Sequence, residues 1–380
     1  MALGFAVGWN VANTGAVAGP LADAYGVPLA ATGLLTTALF VGHFTSQIPG
    51  GRLVDRIGAR RSGLGAIGLI VGGNAVALAA ASFPLALAAR LVIGLGTGAG
   101  FVAGSDYVRS ATRSPTAQGL YGGAAVGGGG LAIAIVPLFS GWRAPYASAA
   151  VVAVVILILL AAAPADERLE EREAARTSGG SVVADRRLYP LAILHTASFA
   201  VSVIAGNWIV DLLDDHGHSR RLAGAVGALI LLLGLPTRPL GGWVLRSRPA
   251  LAPRAVAASI VAGAAALALL AAPVPLPLLV AASALAGLAA GIPFAPAFAG
   301  AQHLRPDSPA AAVGLVNAVA TLAIVAGTPL IGLTFSLPGG GRIGFAALAA
   351  LWLAALPAVR YSAAGRLVRQ GDNQSADRAP

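Results

Sequence analysis

Apolar residues in this chain come in runs about twenty long, broken by short polar stretches, and that pattern leaves few folds open. A run of this length crosses the roughly 30 Å of bilayer hydrocarbon as a helix, and in lipid a helix satisfies its own backbone. About twelve such spans are expected. In the first half they fall near residues 2–22, 31–51, 62–82, 84–106, 118–140 and 143–163, and in the second near 188–212, 221–245, 254–272, 276–299, 310–334 and 342–362. An all-α, multi-pass membrane protein follows.

The polar breaks divide the chain. Residues 1–163 are expected to form an N-terminal six-helix bundle and 188–362 a C-terminal one. Between them, 164–187 hold Asp166-Glu167-Arg168-Leu169-Glu170-Glu171-Arg172-Glu173, a Ser/Gly stretch and Asp185-Arg186-Arg187, which reads as a solvated linker with a short surface helix. Residues 363–380 read as a disordered polar tail. A net charge of +10 and a pI near 11.2 suggest nucleic acid in a soluble protein, but only 11% of residues are charged, every basic one is arginine, and they cluster in alternate loops. Loops after spans 2, 4, 6, 8 and 10 plus the tail hold 19 arginines, against four (Arg143, Arg220, Arg221, Arg342) on the opposite side. That bias places both termini in the cytoplasm and the protein in the cytoplasmic membrane, and it excludes nucleic acid as the partner. No cysteine is present, which excludes disulfides and thiolate metal sites. No cleavable signal peptide is expected, since the first apolar run lacks a basic leader and exceeds signal length.

Between spans 2 and 3 lies Gly51-Arg52-Leu53-Val54-Asp55-Arg56-Ile57-Gly58-Ala59-Arg60-Arg61, four arginines and one aspartate in a knot of charge that reads as a short loop at the membrane surface. It resembles, at each signature position, the G-x-L-x-D-R-x-G-x-R-R motif of the major facilitator superfamily of transporters. The resemblance implies twelve transmembrane helices in two pseudo-symmetric bundles, alternating access, and a latch at the helix ends formed by Gly51, Asp55, Arg56, Gly58, Arg60 and Arg61. A plain positive-inside anchor needs the arginines but not Asp55.

Two bundles joined by a linker invite a search for a repeat. A shift of 191 residues (238 minus 47) lays Pro239-Leu240-Gly241-Gly242 over Ile48-Pro49-Gly50-Gly51, Arg238 over Gln47, and Arg246 over Asp55. Arg238 lies eight residues before Arg246, roughly 12 Å along a helix and near mid-membrane. A permanent cation there costs at least about 2.5 kcal/mol if it faces lipid, so it faces protein. With no acidic residue in the middle of any span, an anionic solute is the expected partner, held by a bidentate guanidinium; an internal salt bridge or carbonyl contact is the alternative. Thr237-Arg238-Pro239-Leu240-Gly241-Gly242-Trp243 resembles the eighth helix of the nitrate/nitrite porter branch, in which arginines on helices 2 and 8 grip the anion. The helix 2 position is Gln47 here, and the span after Gly314 lacks the branch's second glycine-rich signature, whereas Gly122 to Gly130 fits the first.

Other candidates have two readings each. Arg90 heads Arg90-Leu91-Val92-Ile93-Gly94-Leu95-Gly96, which resembles the superfamily's helix 4 motif and implies proton or substrate handling; it would otherwise bond Asn10 and Asn13. His43, one turn from Gln47, and His195 can titrate near neutral pH or serve as hydrogen-bonded interior groups. Asn10, Asn13, Asn207 and Trp208 either line the pathway or link helices. Gly96, Gly100 and Gly104, and Gly119, Gly123 and Gly127, recur every four residues and make flat faces for close helix packing. Asp23, Asp106 and Asp211 sit at span ends as anchors. Asp211, Asp214, Asp215, His216 and His218 share one loop, read as solvated with no metal. No nucleophile elbow, phosphate loop or metal-binding helix motif occurs, so an enzyme is not expected and no cofactor is implied. The expected activity is transport of a small anion, nitrate-like or organic, by a single chain; proton-coupled efflux of hydrophobic compounds is the alternative.

Overall fold

The computed structural model describes residues 1–164 and 181–362. The expected surface helix of the linker and the polar tail lie outside the described residues, apart from short 3-10 turns at Val182–Ala184 and Arg186–Leu188. All regular structure among the described residues is helical. α1 is two pieces, Ala2–Ala12 and Ala18–Tyr25; α2 is Leu29–Ile57. Then follow α3 (Ala59–Ala79), α4 (Phe83–Thr112), α5 (Pro115–Leu138), α6 (Ala144–Ala162), α7 (Arg186–Asp215), α8 (Arg221–Ser247), α9 (Ala252–Ala271), α10 (Leu276–Leu304), α11 (Pro309–Ser336) and α12 (Arg342–Tyr361). Among the described residues those ten are long and apolar enough to cross a membrane, and α1, in its two shorter pieces, and α2 bring the helices to twelve.

The charged knot is more helical than expected. α2 continues to Ile57 and α3 starts at Ala59, so Gly51 to Ile57 form its last two turns and the loop shrinks to Gly58. Arginines reach water along their aliphatic stems, which lets a helix run on past the hydrocarbon edge. Gly58 has φ +88° and ψ 158°, a backbone region that side chains with a Cβ avoid, and this one residue reverses the chain.

Four helices are interrupted. α1 breaks around a 3-10 turn at Gly15–Val17, α7 carries a π turn at Thr196–Ala200, α8 breaks where Leu232 gives way to Gly234–Ser247, and α10 breaks between Gly291 and Phe294. Pro236, whose missing N–H would have met Leu232, and Pro293 supply no backbone donor at the α8 and α10 breaks, and such breaks persist at membrane depth only where protein or a water-filled path covers them.

Two compact units result, and their membership does not follow the sequence halves. Among the described residues, the first holds 1–113, 124–164, 181–182 and 305–318; the second holds 114–123, 183–304 and 319–362. The start of α5 thus packs with the second half and the start of α11 with the first. Glycines make both contacts possible. A Cβ on Gly51 would lie 2.6 Å from the Ala311 Cα, and one on Gly314 2.5 Å from the Gln47 carbonyl oxygen. In the second unit, a Cβ on Gly242 would lie 2.1 Å from the Pro115 carbonyl oxygen, and one on Gly119 2.2 Å from that of Arg238. Among the candidate packing glycines, Gly96 rests on Ala66 and Ile70 of α3, Gly100 on Ala66, Leu3 and Val7, and Gly123 on Leu235; Gly127 is half-buried.

Candidate functional site

Arg238 is placed by its neighbours in sequence. Pro239 has no N–H and breaks the regular helix ladder there, and the exposed Leu235 carbonyl turns toward Gly123 of α5. With Gly119 against its own carbonyl, Arg238 is pinned at an α5–α8 crossing that side chains larger than hydrogen would push apart. Its Nη1 donates to the Gly122 carbonyl at 2.6 Å. The guanidinium carbon lies 4.9 Å from the Phe294 ring centre and 5.5 Å from that of Phe199. The residue is 6% exposed. Among the described residues it makes no ion pair, and its buried Nε has no hydrogen-bond partner. Aromatic faces offset part of the cost of burying a cation, but one accepted donor out of five leaves most of its bonding capacity unspent.

Arg90 makes the opposite use of its charge. Fully buried on α4, it donates from Nε to the Leu35 carbonyl (3.2 Å) and from Nη1 to the Asn10 carbonyl (2.8 Å) and the Asn13 Oδ1 (3.2 Å). Asn13 in turn donates to the Pro145 carbonyl at 2.8 Å, and Asn74 donates to the Asn10 Oδ1 at 3.0 Å. Arg90 thus bonds the helix 1 polar groups, and the network through Asn13 and Asn74 ties α1, α2, α3, α4 and α6 together.

The remaining candidates disperse. Gln47 is fully buried on α2 beneath Gly314. His43 shares a 3.0 Å hydrogen bond through Nδ1 with the Thr97 hydroxyl. Both belong to the first unit and Arg238 to the second. Asn207 is exposed, and Trp208 donates to the Thr328 carbonyl at 2.8 Å while its ring rests 5.2 Å from Phe335. Asp106, expected at a span end as a solvated anchor, is buried and paired with Arg109 at 2.7 Å. Among the described residues no group of three or more acidic or histidine side chains is arranged to hold a metal, the Asp211 to His218 loop included. In that loop, burial and then the nearby Arg342 hold His216 below the ordinary imidazole range. Asp307, between α10 and α11, is held below the usual carboxylate range by its hydrogen bond from Arg305.

The residues of the charged knot take different tasks. Asp55 accepts the backbone N–H groups of Ala310 at 3.0 Å and Ala311 at 2.9 Å, so its carboxylate caps the positive end of α11. Arg60 donates to the Leu160 carbonyl at 3.2 Å and the Ala161 carbonyl at 2.5 Å, satisfying the last turn of α6. Arg56 and Arg61 are exposed.

Sequence reasoning missed the rings. Phe199, Phe294 and Phe298 are three of eleven phenylalanines in apolar spans, and nothing in the local pattern marks them. One signal was available: His195 and Phe199 are four apart, as are Phe294 and Phe298, the spacing of one helix face.

Among curated protein sequences, none matches the chain significantly. Solved structures do. The proton:xylose symporter XylE, bound to 6-bromo-6-deoxy-D-glucose, aligns with TM-score 0.76 and 14% identity over 94% of this chain and 92% of its own. The human organic anion transporter MFSD10 (TETRAN) gives 0.71 and 18% over 94% and 98%, and the E. coli fucose:proton symporter FucP 0.73 and 15% over 95% and 97%. At these identities the likeness is one of fold, and it bears out the expected two-bundle, twelve-helix architecture. The sequence matches the profile of the Major Facilitator Superfamily over residues 1–328. Twelve helices, a complete charged signature between the second and third, and a buried cation with unused donors thus meet in one chain, a multi-pass membrane transporter of small molecules that belongs to the Major Facilitator Superfamily.

Proposed function

We propose that this transporter moves a small monovalent anion, inorganic or organic, across the cytoplasmic membrane by alternating access, with Arg238 as the group that binds it. The observation that carries the reading is the contrast between the two buried arginines: Arg90 spends three hydrogen bonds on its own unit, Arg238 one. Each keeps a buried donor without a partner, Arg90 at Nη2 and Arg238 at Nε, but Arg238 holds far fewer of its five donors in bonds to protein. Thr237 and the rings of Phe199 and Phe294 would shape the rest of the site, which favours a compact anion over a multiply hydroxylated sugar. The fold does not choose the cargo, since it serves sugar symporters and an organic anion transporter alike. Asp55 at the start of α11 is proposed as the latch of one end state, with both termini cytoplasmic and a single chain as the working unit.

Counterflow in proteoliposomes tests the reading, with nitrate, nitrite, formate and lactate against tetraphenylphosphonium and ethidium. Exchange of at least one anion is expected, falling by roughly a hundredfold in Arg238→Gln and less in Arg238→Lys, as loss of a charge-assisted hydrogen-bonding group costs about 1.5–3 kcal/mol or more. Unchanged anion exchange in Arg238→Gln overturns the assignment. Movement of the lipophilic cations alone would make the protein an exporter of hydrophobic compounds.

A further inference from the structure

We propose that His195 carries a proton with each anion, so that the transporter is an electroneutral proton–anion symporter. The inference rests on the reading of Arg238 as the anion's binding group. His195 stacks on Phe199 with ring centres 5.2 Å apart and planes at 14°, and it meets Phe294 at 5.7 Å and Phe298 at 4.8 Å. Arg238 sits over Phe199 and Phe294 at 5.5 and 4.9 Å. The same two phenyl rings therefore carry the imidazole and the guanidinium, and the two distances to Phe294 cap their separation at the sum of 4.9 and 5.7 Å. His195 is 1% exposed, and the π turn of α7 begins at the next residue. Such turns recur at functional positions in helices.

The coupling is electrostatic. An imidazolium at this place adds a second positive charge near the buried Arg238, which makes no ion pair among the described residues, and the two cations repel. A monoanion on Arg238 removes that penalty. The anion therefore raises the affinity of His195 for a proton, and the proton raises the affinity of Arg238 for the anion, by the same factor. Imidazole takes its proton from water on the side where the anion enters and returns it to water on the other; only an N–H bond forms and breaks. Arg238 is the charged group that shares rings with His195. Charged and titratable groups on the described elements packed against this part of α7 are Tyr189, the Asp185–Arg187 pair at 2.7 Å and Arg186 toward its start, Asp211, Asp214 and Asp215 toward its end, Arg254 on α9, the exposed His303 on α10, and Arg342 and Arg360 at the two ends of α12.

The test uses the full-length protein in proteoliposomes and whichever of nitrate or formate the wild type exchanges. With the potential clamped at zero by valinomycin and equal potassium, an inward proton gradient of two pH units is expected to drive uptake at least tenfold above the level without it. His195→Gln should keep counterflow exchange, lose the response to the pH gradient, and become driven by membrane potential. A packing role alone would lower exchange and driven uptake together. As a check that needs no variant, adding the same anion to wild-type protein in weakly buffered detergent solution should take up close to one proton per chain. Uptake insensitive to the pH gradient, unaltered driven uptake in His195→Gln, or no proton uptake on anion binding overturns the proposal. Absence of any anion exchange by the wild type overturns the anion reading, and this one with it.

Discussion

Gly51 and Gly242, related by the internal repeat, make the same contact: each lies against the first turn of another span with no space for a methyl group. A Cβ on Gly51 would meet backbone atoms of Ala310 and Ala311 at 2.6–2.8 Å, and one on Gly242 backbone atoms of Pro115 and Thr116 at 2.1–2.8 Å. Backbone cannot rotate aside as a flexible side chain does. Gly51→Ala and Gly242→Ala are each expected to destabilise these contacts by about 1–3 kcal/mol, the usual cost of overpacking. Because the chain has no cysteine, a single Thr116→Cys reporter can be labelled without background. Its maleimide reaction should accelerate severalfold in Gly242→Ala; an unchanged rate would mean that the crossing tolerates the methyl.

The two copies differ in charge where they agree in shape. Asp55 caps Ala310 and Ala311, while the repeat-related position is Arg246. Asp55→Asn removes the charge from a helix-terminus contact worth about 0.5–2 kcal/mol. Transport by this variant is expected to fall several-fold while that of Arg246→Gln stays near wild type. Equal effects of the two substitutions would contradict a latch confined to Asp55.

Arg90 and Arg238 should separate stability from activity. Arg90→Leu leaves the Asn10 and Leu35 carbonyls and the Asn13 side chain without their donor, and loss of three hydrogen bonds to a charged group is expected to cost roughly 3 kcal/mol or more. Arg238→Leu gives up one. The melting temperature in detergent should therefore drop clearly further for Arg90→Leu, with transport lost in both. The reverse order would exchange the roles assigned to the two residues.

What could be read from sequence followed from forces that act locally. Twelve apolar runs and the placement of arginine near water specify spans and their order, and in the charged signature Gly51, Asp55, Gly58 and Arg60 each have a separate steric or electrostatic task. The extension of α2 through Asp55 was not legible, because arginine can sit on a helix end or in a loop with equal hydration. Nor was the division of α5 and α11 between two units: Gly119 reads as a generic packing residue, and Gly242 and Gly314 carry no mark of which span they meet until their partners are known. At the site, Arg238 stood out by its charge. Its phenyl neighbours did not, since an apolar ring in an apolar span carries no mark of what it stacks on, and Asn207, polar and equally conspicuous, is exposed.

The π turn at Thr196–Ala200 holds one more residue than an α-helix needs at that point. Excising a single residue there would heal the ladder and leave the flanking segments facing nearly as before, but it would shorten the step from His195 to Phe199 from four residues to three. The imidazole of His195 would then lose its registry with Phe199 while both survived in the polypeptide. Chemistry at this spot is thus vulnerable to a change in chain length that leaves every participating side chain in place.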